Sequence, residues 1–159
     1  MNFIVHCDGG ARGNPGPAAV GVVIEKVHSA QYTGHSKKEI VAEISKRIGE
    51  TTNNVAEYTA VLEALRQVKS LPAGKAGQKS KVKSEDGEIG VVQFYLDSTL
   101  VVNQLNGLFK VKEAHLRELL MNVRILEQEI GESVEYKYVH REQNIRADFL
   151  VNKALDSDV

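Results

Sequence analysis

The order of strand and helix patterns along the chain predicts one mixed α/β domain, with five strands and four helices in the order βββαβααβα. Two observations carry this prediction. Three apolar runs with β-type patterns open the chain, and their short connections favour an antiparallel meander. Helical patterns then alternate with two further strands, which is typical of a sheet with helices packed on its faces. A length of 159 residues suits one domain with a substantial core.

The first three strands are predicted from their residue patterns. Apolar residues alternate with their neighbours over residues 3–7, and this strand ends at Asp8. A loop rich in glycine and proline follows. The run from Ala18 to Val27 is β-branched and apolar, which predicts the second strand. Between Glu39 and Arg47, residues 40, 42, 44 and 46 alternate with residues 41, 43 and 45, which predicts the third strand.

Helices dominate the rest of the chain. Short polar side chains from Thr51 to Asn54 suit the N-terminus of a helix, because they accept hydrogen bonds from its free N–H groups. Apolar residues then recur at helical spacing until the chain reaches Pro72. The remaining elements are predicted as a strand over Val91 to Leu96, a short helix from Ser98 to Leu105, a helix over about Lys112 to Ile130, a strand over Val134 to Val139, and a last helix from near Asn144.

Residues 73–90 interrupt this regular order. The segment is rich in glycine, lysine, serine and glutamate and has no apolar pattern. It is basic in its first half and acidic in its second. We therefore predict a mobile surface insertion within a single domain that spans residues 1–159.

Composition narrows the function classes. The net charge of −1 shows no basic excess of the kind that generic nucleic-acid binders carry. No run approaches the ~18 apolar residues that span a bilayer, and the N-terminus lacks the basic and apolar regions of a secretory signal. A lone cysteine, Cys7, cannot form an internal disulfide. We expect a cytoplasmic protein without a membrane partner, and a monomer.

Four acidic residues stand in distinctive frames. Asp8 lies in CDGGARGNPGP, Glu57 in TTNNVAEY, Asp97 in YLDSTLVV and Asp148 in NIRADFLVNKAL. Each acid alone also fits a structural role, as a turn residue or a helix-start residue. Together, carboxylates from distant segments are what a hard cation such as Mg²⁺ prefers. Two such ions that share carboxylates support in-line attack on a phosphodiester.

These frames resemble type 1 ribonuclease H, in their order and in their predicted structural context. The resemblance covers most of the chain outside the 73–90 insertion and the first hairpins. It implies a ribonuclease H-like fold, in which helices cover both faces of a five-stranded mixed sheet whose first three strands are antiparallel. The residues that carry it are Asp8-Gly9-Gly10 with Gly13 to Pro17, Thr51 to Asn54 with Glu57, Asp97-Ser98, and Asn144 with Ala147-Asp148.

The resemblance also implies a reaction. Members of this family cleave the RNA strand of an RNA–DNA hybrid with two Mg²⁺ or Mn²⁺ ions, here expected on Asp8, Glu57, Asp97 and Asp148. One ion would activate water and the other would stabilise the leaving 3′-oxygen, which gives 5′-phosphate and 3′-hydroxyl ends.

Substrate contacts are carried over from the same resemblance. Asparagines at three matching positions would contact the hybrid across its minor groove, where 2′-hydroxyls mark the RNA strand. Helix capping is an alternative role for two of them, Asn53 and Asn54. The full set of expected substrate residues is Asn14, Asn53 and Asn54, the backbone at Gly9 and Gly10, and Thr52, which matches a residue that helps to seat a DNA-strand phosphate.

Three departures from the common bacterial pattern are visible. Thr99 stands where many members have a glutamine two residues after the third acid. The histidine-bearing loop before the last acid is shortened, which leaves His140 or Arg141 as candidates for its auxiliary role. The segment 107–112 is the only candidate for a basic handle and has no tryptophan. These features are more similar to compact archaeal-type members that lack the handle.

Two other functions stay open at this point. A hybrid-binding module without catalysis is one, although a repulsive acidic cluster is of no use to a binder. Another nuclease with the same fold, such as a junction resolvase or a transposase-like core, is the second. The frames around Asn14 and Thr52 to Asn54 favour hybrid recognition over that alternative.

Overall fold

A five-stranded sheet in the spatial order β3-β2-β1-β4-β5 organises the fold. The computed structural model describes residues 2–28, 37–71 and 90–157. Neighbouring strands pair antiparallel among the first three and parallel from β1 to β4 and from β4 to β5. The predicted mixed sheet is therefore confirmed. Its strands are β1 (Asn2–Ala11), β2 (Gly16–His28), β3 (Lys37–Thr51), β4 (Val91–Leu96) and β5 (Ser133–Tyr138).

Four α-helices connect or follow these strands, as the sequence predicts. The predicted cap region before α1 is confirmed, with Thr52 as the N-cap, and Ser98 is the N-cap of α2. Each of these side chains accepts a hydrogen bond from a backbone N–H three residues on, at 3.3 Å. Among the described helices, none combines the length and apolar character needed to cross a bilayer. The helices are α1 (Asn53–Ser70), α2 (Thr99–Leu105), α3 (Ala114–Ile130) and α4 (Ile145–Asp156), with a short 3₁₀ turn over Arg141–Gln143.

Most boundaries fall within a few residues of the prediction, and the exceptions have identifiable causes. β1 continues three residues past Asp8 because the glycines keep pairing with β2, as far as Ala11 opposite Ala18. β3 is longer than predicted and carries two register shifts against β2. These bulges place an extra residue at Val41 and at Ile48, so a simple two-residue period is lost. The predicted insertion at 73–90 lies outside the described residues except for Gly90.

Each face of the sheet has its own core. The larger core combines side chains from all five strands with α1, α2 and α3, and includes Phe3, Val5 and Cys7 of β1. The smaller core lies on the opposite face, where α4 packs its apolar side against Ala19. Helices therefore cover both faces, as predicted. Asp8 alternates with Cys7 along β1, so its side chain belongs to the face that α4 covers.

The position of α4 is set by close contacts along its whole length. At Gly21 of β2, an added Cβ would lie 2.1 Å from the Ala147 carbonyl oxygen, so only glycine allows this approach. Ser45 donates to the Leu150 carbonyl at 2.6 Å. Arg47 donates to two carbonyls near the end of the helix, over 2.8 Å to Ala154 and 2.8 Å to Leu155, and to the carbonyl of Ser157, the residue after it, at 2.7 Å. One guanidinium thus satisfies acceptors that a helix end otherwise leaves free.

Gly21→Ala is expected to lower the free energy of unfolding by about 2–3 kcal/mol, because the added methyl group forces α4 away from β2. Urea unfolding followed by circular dichroism measures the change. Gly10→Ala is the matched control, since its added Cβ would meet only Val151 Cγ1 at 3.6 Å. Equal unfolding midpoints for the two variants would contradict the proposed steric role of Gly21.

Candidate active site

Three of the four predicted carboxylates converge at one edge of the sheet. Carboxylate oxygens of Asp8, Glu57 and Asp97 all lie within 4.8 Å of one another. Asp8 and Asp97 come together because β1 and β4 are adjacent and parallel. Asp8 lies towards the carboxyl end of β1, and Asp97 directly follows β4. Glu57 projects from the first turns of α1. Distant segments therefore supply one acidic cluster, as the sequence frames predicted.

Gly9 allows α1 to bring Glu57 this close. A Cβ at Gly9 would lie 2.2 Å from the carbonyl carbon and oxygen of Ala56 and 2.6 Å from the Glu57 nitrogen. The sequence predicts that the backbone at this glycine contacts the substrate. In the structure, the backbone that approaches Gly9 is that of α1 itself.

Asp148 lies at the same cleft but outside the group of three. It projects from the first turn of α4 and is partly exposed, and its charge contributes to raising the pKa of Asp8. The cleft has a volume of about 460 Å³. It is lined by all four acids together with Gly9 to Arg12, Asn53, Asn54, Ser98 to Leu100, Arg141, Val151, Asn152 and Leu155.

The pKa values of all three clustered carboxyl groups are raised, which indicates negative charge that nearby cations do not balance. Burial raises the pKa of Asp8 to about 7, and the charges of Asp97 and Asp148 add to the effect. Burial, with the Asp8 charge next, raises the pKa of Glu57 well above its usual range. Burial also raises the pKa of Asp97, although the Arg141 guanidinium opposes that shift.

These residues fit a divalent cation. Glu57 is 8% exposed, and within the part of the chain that the structure describes its Oε2 atom has no hydrogen-bond partner. Buried polar atoms in proteins are normally paired. An all-oxygen donor set with unpaired negative charge is what Mg²⁺ or Mn²⁺ requires. A cation there would offset both the burial and the mutual repulsion that raise these pKa values.

Some of the expected substrate residues line the cleft and others lie outside it. Asn53, Asn54, Gly9 and Gly10 line the cleft, whereas Asn14 and Thr52 do not. Thr52 caps α1.

Side-chain oxygens of two asparagines join the loop after β1 to α1. Asn53 Oδ1 accepts a hydrogen bond from the Ala11 N–H at 2.9 Å, and Asn14 Oδ1 accepts one from the Asn53 N–H at 3.0 Å. Both asparagines are exposed, and these bonds leave their NH₂ groups for other partners. The structure therefore gives Asn14 and Asn53 a definite structural contact, and their substrate role stays a prediction.

The two auxiliary candidates occupy different places. Arg141 begins the short 3₁₀ turn, and its Nε atom lies 3.8 Å from Asp97 Oδ2. His140 points to Tyr138 instead, with 3.4 Å between the His140 Nδ1 atom and the Tyr138 hydroxyl. Only Arg141 lines the cleft.

Sequence reasoning gave no individual role to three residues that the structure places at this site. Asn144, 1% exposed, donates from Nδ2 to the Cys7 carbonyl at 2.8 Å and so joins the start of α4 to β1 beside Asp8. Asn144 belongs to the same sequence frame as Asp148, which was the signal for it. Arg12 and Asn152 also line the cleft. The one signal for Asn152 was its position four residues after Asp148, which puts both on one face of a helix.

The connection between α2 and α3 is short. Over the described residues 106–113 the chain passes from one helix to the next without a further helix. Leu108 and Phe109 are exposed there. The arrangement agrees with the predicted compact form that lacks a basic handle.

The sequence profile of the RNase H family matches residues 1–156. The chain belongs to the RNase H family. It is 35% identical over 157 residues to a bifunctional protein of Mycobacterium tuberculosis, and the match covers 99% of this chain and 36% of that relative. It is also 35% identical over 152 residues to ribonuclease HI of Halobacterium salinarum, with 95% of this chain and 63% of the relative covered. The chain thus spans little more than a third of the mycobacterial relative.

The fold is shared by the solved structure of LC11-RNase H1, a protein isolated from compost. LC11-RNase H1, determined in complex with an RNA/DNA hybrid, is 36% identical to this chain and superposes with a TM-score of 0.74. The match covers 97% of this chain and 96% of that one.

Without divalent cations, the protein is expected to lose stability as the pH rises from about 4 to about 7. The folded state holds a proton on Asp8 that the unfolded chain releases near its ordinary pKa, so each pH unit in this window costs up to about 1.4 kcal/mol. Mg²⁺ should raise the melting temperature more at pH 8 than at pH 5. Thermal melts in EDTA and in Mg²⁺ measure both effects.

Asp8→Asn is expected to stabilise the cation-free protein at pH 8 by about 2 kcal/mol, because it removes one buried charge from the cluster. Glu118→Gln, at an exposed position of α3, is the matched control and should change stability by less than about 0.5 kcal/mol. A cation-free Asp8→Asn protein less stable than the wild type would contradict the predicted repulsion.

Proposed function

We propose that this chain hydrolyses the RNA strand of RNA–DNA hybrids with divalent cations. The observation that carries the proposal is the convergence of Asp8, Glu57 and Asp97 within 4.8 Å, beside Asp148, in a chain of the RNase H family. The cluster is open to solvent through a cleft that a nucleic-acid backbone can approach. Its excess of negative charge favours cation binding over general acid–base catalysis by the carboxylates.

Asp8, Glu57, Asp97 and Asp148 would hold the metal. Two Mg²⁺ or Mn²⁺ ions held there would supply charge stabilisation at the entering and leaving oxygens of the phosphodiester. The protein's own contribution is placement. β1 and β4 fix two of the carboxylates on rigid strands, and the helices α1 and α4 bring the other two to the same edge. By this proposal the products carry 5′-phosphate and 3′-hydroxyl ends.

The substrate surface extends from the acids along the N-terminus of α1. Asn53, Asn54 and Gly10 line the cleft beside the carboxylates. Amides are well suited to 2′-hydroxyl groups and to base edges in a minor groove, because they both donate and accept. The related LC11-RNase H1 was solved with an RNA/DNA hybrid. We infer that this chain binds the same class of duplex on this surface.

The competing functions are less compatible with the site. A module that only binds hybrids has no need of carboxylates whose burial and repulsion raise the pKa of Asp8 to about 7. A junction resolvase or transposase-like nuclease would need the acids but not the amide-lined surface next to them. The cytoplasmic location and the monomeric state expected from the sequence stay predictions.

Purified protein with Mg²⁺ or Mn²⁺ is expected to cleave a labelled RNA–DNA hybrid and to leave double-stranded RNA and double-stranded DNA intact. Asp8→Asn should reduce the rate by at least about 10³-fold, because it weakens metal binding at the reacting phosphate, while Glu118→Gln keeps wild-type activity. Mapping both product ends tests the predicted 5′-phosphate and 3′-hydroxyl. The proposal fails if metal binds, as melts or calorimetry show, and the hybrid remains uncut.

Arg141→Ala is expected to lower kcat/KM for hybrid cleavage by roughly tenfold, since its cation lies beside Asp97 at the mouth of the cleft. His140→Ala is the matched comparison and should cost less than about twofold, because His140 faces Tyr138. Steady-state kinetics at saturating Mg²⁺ measure both. A larger loss for His140→Ala would assign the auxiliary role to the histidine.

A further inference from the structure

Asn152 directs its side-chain amide back at Asp148. It lies one helical turn further along α4, and its Nδ2 atom is 3.2 Å from the Asp148 carbonyl oxygen and 3.4 Å from Asp148 Oδ2. Both residues line the acidic cleft. Asp148 is the one predicted carboxylate outside the group whose oxygens lie within 4.8 Å. Its side-chain orientation therefore decides whether a fourth oxygen reaches the cluster.

Arg12 determines which end of the Asn152 amide faces Asp148. Arg12 Nη2 donates to Asn152 Oδ1 over 3.4 Å and forms an ion pair with Asp156 Oδ1 at 2.6 Å. A guanidinium has only donors, so it accepts nothing from an amide. The oxygen of the Asn152 amide consequently faces Arg12, and its NH₂ group is left for the Asp148 carboxylate.

A neutral donor is well suited to this position. A lysine or arginine in its place would pair with Asp148 as a full cation and compete with a metal for the carboxylate charge. The Asn152 amide can orient the carboxylate and leave its charge in place. Hydrogen-bond partners of this kind commonly orient metal-binding carboxylates.

We propose that Asn152 is a positioning residue that holds Asp148 for divalent-cation binding, and that Arg12 acts through Asn152. This inference rests on the proposed function, because it requires Asp148 to be a metal ligand. It assigns to the loop after β1 a part in metal binding, although none of its side chains would touch the metal.

The test is Mg²⁺ binding to the full chain, measured by calorimetry without any nucleic acid. Asn152→Leu keeps the branched shape of the side chain and removes its donor, and Asn152→Ala provides a second variant. Both are expected to weaken Mg²⁺ binding by about tenfold. The Mg²⁺ concentration for half-maximal hybrid cleavage should rise by the same factor, with KM for the hybrid unchanged at saturating Mg²⁺. Asn122→Leu, at an exposed position of α3, is the matched control.

Arg12 is tested by a double-mutant cycle. Arg12→Ala should weaken Mg²⁺ binding by less than Asn152→Leu does, Arg12→Lys should restore it, and the double variant should bind no more weakly than Asn152→Leu alone. Additive losses of Mg²⁺ affinity would show that Arg12 acts independently of Asn152. A raised KM for the hybrid in Arg12→Ala at saturating Mg²⁺ would show that Arg12 contacts substrate directly. Either result would overturn the proposal that Arg12 acts through Asn152.

Unchanged Mg²⁺ affinity in both Asn152 variants would overturn the role of Asn152. Failure of the proposed function looks different, because the wild-type protein would then bind Mg²⁺ and leave the hybrid uncut. The calorimetric comparison still decides the role of Asn152 in that case, since it requires no cleavage.

Discussion

Repulsion between buried carboxylates is the constraint on which this structure depends. Asp8, Glu57 and Asp97 meet within 4.8 Å with their side chains largely buried, and burial together with the charges of neighbouring acids raises the pKa of each, so the assembly is unfavourable without a counter-charge. Such a cluster persists only if the surrounding fold is rigid enough to hold it. The proposed metal site is therefore a property of the whole scaffold and not of four side chains alone.

The scaffold meets this demand with backbone contacts too tight for larger residues. Gly9 lets α1 approach β1, and Gly21 lets α4 approach β2. Polar anchors then fix both ends of α4, through Asn144 at its start and Arg47 at its end. These contacts lie on both faces of the sheet, so the carboxylates are held from two sides. Stability and the capacity to bind a cation consequently depend on the same residues.

Local patterns were enough to predict the order of elements, the cap region before α1 and the convergence of Asp8, Glu57 and Asp97, because each depends on neighbouring residues or on strand adjacency. The bulges at Val41 and Ile48 were not predictable, since they arise from pairing with β2. The contact of Gly9 with α1 was also hidden, because a sequence shows that glycine is small but not what approaches it. Likewise, the orientation of the Asn152 amide depends on a hydrogen bond from Arg12, which lies 140 positions away.

The asparagine bridge between the loop after β1 and α1 has a consequence for recognition. Ala11 donates to Asn53 and Asn53 donates to Asn14, so the loop and the helix start are already ordered before any duplex arrives. A surface prepared in this way loses little conformational entropy on binding, and more of the contact energy is left for affinity. Under the proposed function, Asn14 would therefore contribute to duplex affinity by preorganising its neighbours, whether or not its own side chain reaches a nucleotide.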